Sequence, residues 1–75
     1  MEREVPIRGD TIRLGQLLQL TGTVGGGGAL KEFLATERVL VNGDAEARRG
    51  RQLHPGAVVE AGDERLRVVS GASGG

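Results

Sequence analysis

The chain predicts an α+β fold: a short edge strand, two short packed helices, then a small antiparallel sheet of short strands. Three observations carry this. Leucines recur at helical spacing twice in the first half of the chain. From Val39 onward the period changes to two. Between two such runs stands Asn42-Gly43, the strongest short hairpin signal in the sequence.

Taken in order, Glu4-Val5-Pro6-Ile7-Arg8 alternates with Val5 and Ile7 on one face, and Pro6 restricts it to a sheet edge. Gly9 and Asp10 turn the chain. Leu14, Leu17 and Leu18 then define a first helix from about Leu14 to Thr21, with Gly22 suited to the position past its end. Four glycines, 25 to 28, form a slack connector. Leu30, Phe33 and Leu34 mark a second helix from about Gly28 to Thr36. Neither helix is long enough to persist alone, so each must form by packing. Val39 and Val41 make a strand, Asn42-Gly43 turns it, and the return runs into Ala45 to Ala47. Pro55-Gly56 closes the next stretch. Val58 and Val59 lie in a further strand, Gly62-Asp63 turns, and Leu66 and Val68 alternate with Arg65 and Arg67 in the last one. A small-residue tail, 70–75, is expected to be flexible. The expected organisation is one domain over 1–75 with its core at about 4–69.

The chain has 75 residues, of which 37% are hydrophobic. That supplies one thin core and no deep, walled pocket, which argues against an enzyme. There are no cysteines, so neither a disulfide framework nor a thiolate is available. Met1-Glu2-Arg3-Glu4 lacks the basic start and apolar run of a signal peptide, and no stretch reaches the length of a membrane helix. The expected setting is the cytoplasm; the sequence is silent on oligomeric state, and a monomer is assumed.

Ten basic residues balance ten acids. The balance is not uniform. Arg48, Arg49 and Arg51 fall within four positions, and no acid stands between Arg48 and His54. Screening limits such effects to about 10 Å, so a local cluster matters more than the sum.

The order of these strings carries a resemblance. Arg13-Leu14-x-x-Leu17-Leu18 is followed by a glycine-marked helix with Lys31. Then come Val39-x-Val41-Asn42-Gly43, Glu46-x-Arg48-Arg49-Gly50-Arg51 and Pro55-Gly56. Over roughly Ile12 to Val69 the chain resembles the RNA-binding domain first known from small-subunit ribosomal protein S-four, the αL RNA-binding motif. It is most similar to the free-standing small bacterial proteins of that type. The chain departs from the family pattern at Gly15, where an acidic or polar residue is common. It departs again at Gly26 to Gly28, where relatives usually have Ser and Gly, at Leu30, often Ala, and at Glu37, often Gly.

The resemblance implies binding of structured RNA, ribosomal or transfer RNA in type and possibly on the ribosome, through a basic face and without catalysis. The residues fit that implication. A guanidinium donates paired hydrogen bonds to phosphate, so Arg48, Arg49 and Arg51 can meet successive phosphates, while Gly50 lets the backbone approach. Lys31 falls in the first turn of helix 2, where free N–H groups also favour anions. Arg13 opens helix 1. Phe33 is the sole aromatic and has core spacing, so unpaired bases find no stacking platform. Shaped or double-stranded RNA, gripped by phosphate and 2′-hydroxyl, is the expected partner.

The arginines can be a solvated loop or an anchor in a protein-interaction module, and Lys31 can simply pair with Glu32. His54, beside Pro55-Gly56, reads as a turn residue, and a lone histidine makes no metal site. The glycine run lacks the Gly-Lys-Ser/Thr ending of a phosphate loop. No cofactor is implied. The terminal Gly74-Gly75 also allows a ubiquitin-like sulfur carrier, although the two early helices fit that order poorly.

Overall fold

A computed structural model describes residues 2–26 and 28–71. The expected α+β architecture is present. Strand β1 (Glu2–Ile7) is followed by β2 (Ile12–Arg13), helix α1 (Leu14–Leu20) and helix α2 (Ala29–Thr36). Five strands come after: β3 (Val39–Val41), β4 (Asp44–Ala45), β5 (Gln52–Leu53), β6 (Val58–Ala61) and β7 (Glu64–Ser70). Among the described residues no helix is long and apolar enough to cross a membrane.

The main sheet has the order β1-β7-β6-β3-β4. It is antiparallel where expected, with β6 between β3 and β7. At one edge it is mixed, because β1 lies parallel to β7, with Glu2 opposite Arg65 and Ile7 opposite Ser70. The edge position explains Pro6, whose missing N–H costs least there. The side chains alternate as the pattern requires. Val5, Ile7, Val39, Val41, Val59, Ala61, Leu66 and Val68 face inward and join Leu14, Leu17, Leu18, Leu30 and Leu34 of the helices in one core. Phe33 is only half-buried at its margin, and Leu20 is 64% exposed.

Local chemistry sets the turns. Asn42 and Gly43 both have positive φ (51° and 88°), the backbone of a type I′ hairpin turn. The Asn42 side chain also accepts a hydrogen bond from the Val58 N–H at 2.9 Å, tying the turn to the start of β6. Gly22, at φ 77°, ends α1. Gly28 caps α2 without a side chain, and the helix begins at Ala29. The return strand after Asn42-Gly43 is shorter than expected: β4 covers two residues, and the chain then leaves the sheet.

Where it goes was not foreseen. Residues 46–51 cross to the start of α1, and β5 pairs antiparallel with β2 in a second, two-stranded ladder. At the other end Ser70 still belongs to β7, and the Gly71 N–H donates to the Ile7 carbonyl at 3.0 Å. The rest of the expected flexible tail, including Gly74-Gly75, lies outside the described residues.

Candidate nucleic-acid interface

The basic loop is anchored to α1 by its own backbone. The first N–H groups of a helix lack intrahelical partners. Here Leu14 N–H donates to the Arg51 carbonyl at 2.8 Å, and Gly15 N–H donates to the Arg49 carbonyl at 2.9 Å. The close approach depends on Gly15. A Cβ at that position would stand 2.8 Å from Leu30 Cδ2 and 3.2 Å from Arg49 Cβ. Gly15 is thus the floor on which the arginine loop rests.

The β2–β5 ladder adds a second constraint. Ile12 lies opposite Leu53, and Arg13 opposite Gln52. Leu53 is buried and Ile12 half-buried, so the partnered Arg13 and Gln52 side chains share the outer face. Arg13 also opens α1, where its N–H donates to Gln16 Oε1 at 3.1 Å. Arg13 and Arg49 line one groove of about 210 Å³ with Gly15, Gln16, Gln19, Leu30 and Gly50. Arg48 and Arg51 line an adjoining depression of about 490 Å³ with Gly50 and Gln52. Gly50 belongs to both. A third depression shares Arg51 and Gln52 and extends to Asn42 and His54.

Four of the five sequence-predicted residues thus meet on contiguous surface. Lys31 stands slightly apart. It is exposed in the first turn of α2, one residue beyond Leu30, and is not among the groove's lining residues. His54 is exposed in a turn, its carbonyl accepting the Ala57 N–H at 2.9 Å.

Sequence reasoning treated Glu46 only as one letter of a motif. In the fold it organises the loop. Its carboxylate accepts Arg48 Nε at 3.1 Å and Nη2 at 3.2 Å, and Arg51 Nη1 at 2.8 Å. It also accepts the backbone N–H groups of Ala47 and Arg48 at 3.1 and 3.0 Å. The Glu46 side chain is 7% exposed, whereas Arg48 is 77% and Arg51 36% exposed. The Arg48 side-chain bond, then that of Arg51, then the Arg48 N–H hold the Glu46 carboxyl at about 2, down from 4.5. The Arg48 pKa is raised by the same bond. The available signal was an acid placed two residues before one arginine and five before another. Gln52 was missed as well, because a two-residue strand carries no period.

Chemically, the loop offers several outward guanidinium donors around shallow, open depressions. That suits an extended anion better than an enclosed small molecule.

This combination of α+β fold, anchored basic loop and motif order defines a class. The chain matches the S4 domain family over residues 5–69 and belongs to that family. It is also 43% identical, over 60 residues, to a probable ribosome maturation protein, RlbA, of Bacillus subtilis; the match covers 80% of this chain and 84% of that protein.

Proposed function

We propose that the protein binds structured RNA, without catalysing a reaction, through a face formed by Arg13, Arg48, Arg49 and Arg51 with Lys31 at its flank. One observation carries the reading. The fold gathers four cations from two separate segments around contiguous depressions. Membership of the S4 domain family supports it. The name of the Bacillus subtilis relative favours ribosomal RNA as the ligand and the cytoplasm as the setting. The absence of an exposed aromatic platform favours shaped RNA held by phosphates and 2′-hydroxyls.

The test is a titration of purified ribosomal RNA, an RNA hairpin and a DNA duplex of the same sequence, at low and moderate salt. RNA should bind more tightly than DNA, and log K should fall with log salt by somewhat less than one unit per phosphate contact. Arg48→Ala plus Arg49→Ala should weaken RNA binding by about tenfold in a protein that circular dichroism shows to be folded. Equal affinity for RNA and DNA, or no binding at low salt, would defeat the reading.

A further inference from the structure

The acid inside the basic face poses a problem of sign. A carboxylate beside a phosphate site repels the ligand, so simple electrostatics makes Glu46 a liability. Its geometry argues otherwise. Glu46 is shielded at 7% exposure, while Arg48 stays open and Arg51 remains partly exposed. A guanidinium carries five N–H donors. Arg48 spends Nε and one Nη2 donor on Glu46, and Arg51 spends only Nη1. Both arginines keep further donors and line the depression shared with Gly50 and Gln52. An incoming phosphate therefore meets two arginines whose flexible stems are already fixed, and less rotamer entropy is lost on binding.

We propose that Glu46 is a positioning residue for the RNA phosphate site: by holding Arg48 and Arg51 in their receptive orientation it raises RNA affinity despite its negative charge. The proposal rests on the RNA-binding reading above. It assigns the depression lined by Arg48, Gly50, Arg51 and Gln52 to the phosphate backbone of the RNA.

The two effects predict opposite signs, so one substitution decides between them. A labelled RNA hairpin is titrated by fluorescence anisotropy with wild type, Glu46→Gln, Arg48→Ala/Arg51→Ala and the triple variant. Glu46→Gln should bind about fivefold more weakly, although it makes the protein more positive. In the background lacking both arginines the positioning effect is gone, and Glu46→Gln should leave binding unchanged or tighten it. A weakening that persists in that background would mean Glu46 acts only through the Ala47 and Arg48 backbone N–H groups, and would overturn the proposal. So would equal or tighter binding by Glu46→Gln in the wild-type background.

Circular dichroism checks that each variant is folded. If Glu46→Gln is not, Glu46→Asp serves instead: it keeps the charge, loses the reach, and should also bind more weakly. Unchanged affinity for Glu46→Asp would count against the proposal. If wild type fails to bind the hairpin, or Arg48→Ala/Arg51→Ala binds as well as wild type, the RNA-binding reading falls and this proposal with it. If those controls hold and Glu46→Gln is not weaker, the positioning role alone falls.

Discussion

Glu46 makes the residue scale testable by acid. Its carboxyl sits at about 2 in the folded protein, against 4.5 ordinarily, chiefly through the Arg48 and Arg51 bonds. A carboxyl depressed by folding adds stability above its unfolded pKa and loses it as pH falls through its folded pKa. Wild type should therefore lose stability between pH about 4.5 and about 2, and Glu46→Gln should lose less over that window. Thermal unfolding followed across the range measures the difference, and parallel curves would refute the account. The arginines themselves were legible in the sequence, because a charge run is local by nature. Glu46 was not. Its function depends on how the loop curls, which no spacing rule over six residues specifies.

At the scale of elements, the arginine loop depends on its seat. Gly15 is buried in α1, between Leu30 and the Arg49 backbone. Gly15→Val would force branched atoms into space already filled at 2.8 Å. Overpacking of that kind costs about 2 kcal/mol. It should lower the unfolding midpoint by roughly 10 °C in a domain of this size and weaken RNA binding by pushing residues 49–51 off the helix. Calorimetry with parallel RNA titration reads both, and a variant as stable as wild type would show that the seat is compliant. The helices and the Asn42-Gly43 hairpin were legible because each repeats a period or needs a particular turn chemistry. The β2–β5 ladder was not. Ile12–Arg13 and Gln52–Leu53 are two-residue strands joined across the chain, and only the folded core brings them together. The parallel partner of β1 was hidden for the same reason: alternation reveals a strand but not its neighbour.

Over the whole molecule, neutrality hides a partition of charge. Arg67 meets Glu2 at 3.1 Å, Arg65 meets it at 3.9 Å, and Arg3 meets Glu64 at 3.4 Å. These pairs are exposed and add little stability. Their effect is to offset the Arg3, Arg65 and Arg67 cations of the sheet within a screening length. Glu2→Gln plus Glu64→Gln should leave unfolding nearly unchanged and tighten binding to non-specific DNA about threefold at low salt. A filter-binding assay against a DNA duplex measures this, and an unaltered affinity would show that the sheet is too far from the interface to matter. The balanced totals were plain in the sequence. Their segregation was not, since Glu2 and Arg65 lie opposite each other only through the parallel pairing.

That pairing also has a consequence in time. During synthesis β1 leaves the ribosome well before β7, the strand it lies against, because helices and five other strands separate the two in sequence. At roughly 5–20 residues per second, β1 waits several seconds for its neighbour. Through that interval Val5 and Ile7 have no sheet to join, and the arginine loop emerges before the layer beneath it is closed. Vectorial synthesis thus cannot complete this domain piecemeal: the last long strand to appear is the one that locks the first.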